Sequence, residues 1–395
     1  MRPPRTRRLR PLSTAVVLGV LGTGSLVACG SDDVDTGTEP TVTASSSQDE
    51  PEEQPSAPSS SETLSGRLGP MEVTGTVTED LEAPWGLDFL PDGDAVLTER
   101  DTRRVLRIDP DTGEQTELGV VAAAAPNGEA GLLGVAVSPD FRRDRTLFLY
   151  YTTGEDNRVA RATLDGDTLG EPETILDGIP LNSYHDGGRL AFGPDGMLYV
   201  STGDAGNPDL AQDPDSLAGK VLRMTADGEV PRDNPTRGSL VYTLGHRNVQ
   251  GLAFDDDDTL WASEFGDQTY DELNRLEPGG NFAWPINEGQ GDVQGGDLIN
   301  PQVVWSTDDA SPSGLAYADG MLFVAALGGE RVWRVPLDGD RAGEPQDFFT
   351  DTYGRIREIK PAPDGDLWVI TNNTDTRGEP RAGDDRILRV STGVE

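Results

Sequence analysis

His185 and Asp204 stand at the two outer ends of a stretch that reads as a hairpin. Between them lie two short apolar strands, residues 190–192 and 197–200, joined by Pro194, Asp195 and Gly196. Pro194 presets φ, Asp195 tolerates the bend, and Gly196 supplies a positive φ. A hairpin returns the chain to its starting end, so the imidazole before the first strand meets the carboxylate after the second. A neutral imidazole held by a carboxylate at one ring nitrogen can take a proton at the other, the arrangement of a general base. Taken alone, the pair is as readily a polar loop closing a turn. Its company elsewhere in the chain decides the matter.

Four other loops are rich in groups that bind or polarise. Residues 127–133 carry Glu129 before Gly-Leu-Leu, and residues 245–251 read Gly-His-Arg-Asn-Val-Gln-Gly. Residues 264–272 carry Gly266 and Asp267, and residues 354–357 read Gly-Arg-Ile-Arg. If these converge, Arg247, Arg355 and Arg357 face one place. One arginine would be expected to pair with a local carboxylate; three crowded together on so acidic a chain point instead to a polyanionic ligand. Arg355 and Arg357, two apart on a strand, point to the same side and would clamp two carboxylates of a flat ligand. The backbone carbonyls around Gly266 are hard oxygen ligands of the kind calcium takes.

Such distant loops need a scaffold that gathers them, and the sequence supplies one by repeating itself. From residue 83 onward six copies recur of one pattern: an apolar strand, a turn holding Asp and usually Gly, a second apolar strand, then an apolar strand interleaved with arginine. The turns return roughly every 45 to 60 residues, the period of four-stranded propeller blades. The expected fold is all-β, a six-bladed β-propeller, with a strand at 71–77 completing the last blade. A sandwich does not explain a repeat of this length. Loops entering the innermost strands and loops linking second to third strands then share one end of the channel. The Asp255 to Asp258 run reads as a solvated turn rather than a metal site.

Composition sets the outer bounds. A net charge of −38 argues against nucleic acid, and equally against adhesion to anionic lipid by charge alone. Lys220 and Lys360 are the only lysines, so nearly every cation is an arginine with bidentate potential. Residues 1–28 read as an export signal, with five arginines before an apolar stretch, and Arg7-Arg8 leaves a twin-arginine route open. Leu26-Val27-Ala28-Cys29 has the form of a lipoprotein box, so Cys29, the only cysteine, is the expected lipid anchor to the membrane. Residues 29–70 are an acidic Ser/Thr/Pro-rich tether, leaving 71–395 as the propeller outside the cytoplasm.

The chain resembles the soluble pyrroloquinoline-quinone (PQQ) dependent sugar dehydrogenases, the glucose/sorbosone dehydrogenase family, and within it the aldose dehydrogenase branch. The likeness runs from about residue 83 to 390. It rests on His-x-x-Gly-Arg-Leu-x-x-Gly-Pro-Asp from His185 with the later Gly203-Asp204, on Gly-His-Arg-Asn-x-Gln-Gly-Leu from Gly245, and on Gly-Arg-x-Arg from Gly354. Gly-Leu-Leu-Gly with Ser-Pro-Asp-Phe, and Asn281 to Pro285, add to it. The resemblance implies oxidation of an aldose at its anomeric carbon to a lactone, with His185 as general base, Asp204 orienting it, and hydride passing to PQQ. Arg247 would stabilise charge on the quinone oxygen. Asn248, Gln250, Arg355, Arg357 and Glu129 would line the cofactor, and the carbonyls of Gly266 and Asp267 would hold calcium. His246 reads as structural.

Two departures stand out: Glu129 replaces a glutamine, which could alter sugar preference or pair with Arg247. A lysine expected near Leu327 is missing, with Arg331 nearby. The partners implied are a sugar and an electron acceptor of unspecified kind, with homodimer formation left open. The competing readings are a non-catalytic lipid-anchored propeller that binds a sugar or protein, and a calcium-dependent lactonase on the same fold.

Overall fold

A computed structural model of the chain describes residues 68–394. The expected export signal, Cys29 and the expected tether up to residue 67 lie outside the described residues. Six antiparallel sheets follow one another, each built on four strands, and two of them carry an extra short strand. The first strands of the six sheets are Pro84–Phe89, Leu132–Val137, Leu190–Phe192, Val249–Phe254, Pro312–Ala318 and Ile356–Pro361. Each touches the first strand of the next sheet, and the sixth returns to the first, so they form a closed ring around a channel. The architecture is a six-bladed β-propeller.

Ring closure uses the strand preceding the first copy. Val73–Thr78 pairs antiparallel with Ile387–Val390 and completes the sixth blade. Pairing already begins at Leu68, which bridges Val394. The outer edge of Ile387–Val390 is thereby covered by a strand from the start of the propeller, which ties the two ends of the ring together.

Each strand run is apolar on both faces because each blade is packed on both sides. In Ala95–Glu99, Ala95 and Leu97 pack with Trp368, Ile370 and Ile387 of the sixth blade. Val96, pointing the other way, packs with Leu132, Val135 and Leu149 of the second. The same alternation repeats at all six interfaces, so the core is six wedges between blades rather than one central mass.

The turn chemistry holds with one correction. Gly93, Gly196, Gly320 and Gly365 take the positive φ of their turns, and Asp258 does so in the fourth blade at 61°. Asp255, expected to be solvated, is buried: its carboxylate accepts the amides of Asp257 (3.0 Å) and Thr259 (2.9 Å) and the indole N–H of Trp261 (2.7 Å). An aspartate thus caps the turn from inside. No helix among the described residues is long and apolar enough to cross a membrane.

Candidate active site

Two kinds of loop open at one end of the channel: those entering first strands and those leaving second strands. The loop into the third blade carries His185, and the loop leaving its second strand, Leu198–Ser201, carries Asp204. The two backbones are in direct contact. A Cβ added to Gly203 would lie 1.9 Å from the His185 carbonyl oxygen, so only glycine lets the loops approach. His185 sits at φ 62°, uncommon outside glycine, and is fixed there from both sides. Its amide donates to Glu129 Oε2 (3.0 Å), and its carbonyl accepts the Ala205 amide (3.2 Å).

The side chains complete a relay. His185 Nδ1 lies 2.7 Å from Asp204 Oδ1, in a pair almost wholly withdrawn from solvent. Asp204 Oδ1 also accepts the Gly206 amide (2.8 Å), and Oδ2 accepts the Trp284 indole N–H (2.9 Å). With Asp204 already accepting from two further donors, its oxygen at Nδ1 selects the Nδ1–H tautomer and leaves the lone pair on Nε2. The exposed ring of Tyr184 meets the imidazole edge-on at 4.7 Å.

The arginines require a correction. Each pairs with a carboxylate of the chain itself: Arg247 with Asp267 (3.1 Å), Arg355 with Asp375 (2.9 Å), and Arg357 more distantly with the same Asp375 (3.7 Å). The expectation that three convergent guanidiniums would be free for a ligand does not hold. Arg355 and Arg357 do lie on one side, since both reach Asp375. They differ in what is left over. Arg355 lines a cavity of about 440 Å³ including its open mouth, and its buried Nε has no partner. Arg357 lines the same cavity but is committed to other side chains. It donates to Gln250 Oε1 (2.7 Å), Ser313 Oγ (3.3 Å) and Asn372 Oδ1 (3.1 Å), and burial pushes its pKa down to about 9 against the pull of Asp375. Arg247 also keeps a buried, unpartnered Nε, beside the face of Trp284 at 5.5 Å.

The remaining expected residues fall into place around these. Asn248 is buried, with Oδ1 accepting the Gly187 amide (3.0 Å) and Nδ2 directed to Glu129 (3.4 Å), so it braces the His185 loop. Gln250 shares its oxygen between Arg357 and Ser313 (3.1 Å). His246 is fully buried, stacked on Phe282 at 4.9 Å and bonded to Glu264 and Thr243, both at 2.8 Å. Glu129 pairs with Arg377 (2.9 Å) rather than Arg247. Burial would raise its pKa, but the His185 amide and Arg377 outweigh that and hold it below the usual value.

Arg331 does not reach the mouth. Its Nε donates to the Gly329 carbonyl (2.7 Å) and its guanidinium lies over Trp333. In the loop of Gly266 and Asp267, one oxygen of Glu288 accepts the amides of Asp267, Gln268, Thr269 and Tyr270 at 2.8 to 3.1 Å. Among the described residues no group of three or more His, Cys, Asp or Glu is placed to hold a metal ion.

Sequence reasoning missed Asp375, Arg377, Arg100 and the role of Trp284. Asp375 and Arg377 follow the second strand of the sixth blade, Leu367–Thr371. Arg100 likewise follows that of the first, Ala95–Glu99. Asp204 and Asp267 occupy the same loop in their own blades, so reading that position through all six copies would have found them.

The chain is thus a six-bladed propeller with a carboxylate-held histidine and a guanidinium-lined cavity at one mouth of its channel. More narrowly, the chain belongs to the Glucose / Sorbosone dehydrogenase family, whose family model matches residues 81–381. It is 50% identical to the aldose sugar dehydrogenase of Streptomyces coelicolor, solved in a PQQ-bound form, with a TM-score of 0.80 over 82% of this chain and 98% of that one. It is 31% identical to the aldose sugar dehydrogenase YliI of Escherichia coli over 77% of this chain and 91% of that protein. It is 34% identical to quinoprotein glucose dehydrogenase B of Acinetobacter calcoaceticus over 55% and 53% of the two chains.

Proposed function

We propose that the protein is a PQQ-dependent aldose dehydrogenase that oxidises its sugar at the anomeric carbon to the lactone, with His185 as the general base. The observation that carries this reading is the His185–Asp204 pair at 2.7 Å, buttressed by Trp284 and Gly206 at the mouth of a sugar dehydrogenase fold. The cavity beside it suits a flat polyanion. Trp85, Phe265 and Leu327 provide apolar walls, and Arg100, Arg355 and Arg377 provide charge. The unpartnered Nε of Arg355, and that of Arg247 near the same mouth, are donors that a ligand oxygen would satisfy.

When bound, PQQ supplies a two-electron oxidant that accepts hydride from the sugar. The protein's part is proton removal and placement. His185 Nε2 takes the proton of the anomeric hydroxyl, and Asp204 stabilises the imidazolium that results. Arg247 offers its spare N–H to oxygen that becomes negative. Arg355 meets a ligand carboxylate, while Arg357 and Asn248 act by bracing the residues around them. A calcium ion at Gly266 and Asp267 would find carbonyl oxygens and would need the ligand's own oxygens to complete its shell.

The test is reconstitution with PQQ and calcium, followed by dye reduction across a panel of aldoses. His185→Ala is expected to lower kcat by about 10²–10⁴-fold while PQQ is still taken up. Uptake of PQQ without turnover of any aldose, or a His185→Ala variant as active as the parent, would remove the catalytic claim.

A further inference from the structure

Glu129 poses an electrostatic problem for any polyanion entering the cavity. Its carboxylate lines the cavity wall and carries its charge among buried groups, where like-charge repulsion is poorly screened. The chain answers it with Arg377. The two residues come from loops of the second and sixth blades, 248 positions apart, and meet through one contact, Arg377 Nη1 to Glu129 Oε1 at 2.9 Å.

Arg377 differs from its neighbours in how it is held. Arg355 is tied to the buried Asp375, and Arg357 is locked by four side-chain acceptors. The Arg377 side chain is 54% exposed and makes no other side-chain hydrogen bond among the described residues. Its base is nonetheless anchored, since its amide donates to Asp375 Oδ1 (2.9 Å). An anchored backbone with a long side chain pinned at one nitrogen leaves four guanidinium N–H donors for a second partner. Arg331, the cation nearest in sequence to the missing lysine, is committed elsewhere.

We propose that Arg377 is the rim cation that binds a carboxylate of the quinone cofactor, and that Glu129 is its built-in competitor: on uptake the guanidinium exchanges Glu129 for the ligand. This rests on the cofactor reading above and extends it to the Glu129–Arg377 pair. The consequence is an asymmetry of sign. Removing the cation weakens uptake, whereas neutralising its partner strengthens it. A pair serving only to tie two loops together would behave symmetrically, because losing either member would loosen the mouth.

The experiment is calorimetric titration of PQQ, with calcium present, into the full chain and into Arg377→Gln, Glu129→Gln and the double variant. Glutamine at 129 keeps an oxygen to accept the His185 amide. Arg377→Gln is expected to weaken binding about tenfold and flatten its salt dependence, and Glu129→Gln to tighten it severalfold. In the double variant Arg377→Gln still costs about tenfold relative to Glu129→Gln, because the lost contact is to the ligand. Arg377→Lys, which keeps the charge, recovers part of the affinity and guards against a folding artefact. Weakening by both single variants, with no further loss in the double, overturns the proposal while leaving the cofactor reading intact. No uptake by the unsubstituted chain overturns both.

Discussion

The channel carries two layers of arginine and carboxylate, one at the mouth and one a step further in on the first strands, and they are built to different ends. In the inner layer Arg189 pairs with Glu358 across the channel, donates to the Gln250 carbonyl (2.7 Å) and lies over Trp85 at 4.4 Å. Burial and the nearby charge of Arg357 pull its pKa down to about 9, still high enough to remain a cation at neutral pH. Arg357, Gln250 and Ser313 complete a layer in which side chains from different blades bond to one another, with Arg189 Nη2 left without a partner. At the mouth the pairs are partial: Arg247 and Arg355 each keep an unused N–H, and Arg377 is half exposed. An inward-facing arginine is therefore no sign of a ligand by itself. What distinguishes the ligand-facing ones is access: Arg355 and Arg377 line the cavity, whereas Arg189 does not, although one of its nitrogens also lacks a partner.

The sharpest way to break this contrast is to truncate one member of each layer. Glu358→Ala leaves Arg189 buried without its countercharge and should cost about 3–5 kcal/mol, visible as a lower denaturant midpoint. Arg377→Gln, at the mouth and 54% exposed, should cost under about 1 kcal/mol of stability and appear mainly as weaker PQQ uptake. Equal stability losses would erase the distinction between the layers.

The second prediction concerns the mouth's own scaffold. Gly203→Ala places a methyl against the His185 carbonyl, and backbone on both sides leaves little room to yield. A loss of about 1–3 kcal/mol is expected, together with a fall in kcat larger than any change in PQQ affinity, because the shift is felt at the His185–Asp204 pair. A variant with unchanged kcat would show that the contact between these loops does not set the base.

What the sequence disclosed follows from the same geometry. Blade strands are apolar on both faces, so runs such as Leu132–Val137 and Met321–Ala326 stood out, and the Asp-Gly turns between them marked the period. His185 and Asp204 were legible because one hairpin separates them. The private pairs were not, since Arg189–Glu358 and Arg377–Glu129 join residues 169 and 248 apart and no local spacing encodes such contacts. That Arg355 keeps a spare N–H while every nitrogen of Arg357 is engaged was also hidden. They share a strand side, and only the depth at which each meets the channel separates them.

The smallest effect probes a buried carboxylate that follows neither layer's rule. Asp186, next to the proposed base, accepts from Asn157 (3.0 Å) and the Asn182 amide (3.2 Å), yet its Oδ2 is buried without a partner and no arginine or lysine among the described residues pairs with it. Burial raises its pKa to about 6, against those two hydrogen bonds. Because the folded value lies above the unfolded one, near 3.8, the folded chain binds the extra proton between these values. Stability attributable to this group therefore falls as pH rises from about 4 to 6 and stays lost above. Asp186→Asn keeps an oxygen for both donors and cannot titrate. The stability difference between parent and variant should shift by about 1–3 kcal/mol in the variant's favour between pH 4 and pH 7, read from thermal midpoints at each pH. Parallel curves would mean that Asp186 is ionised and paired like the carboxylates of the inner layer, and the contrast with Glu358 would lose its clearest counterexample.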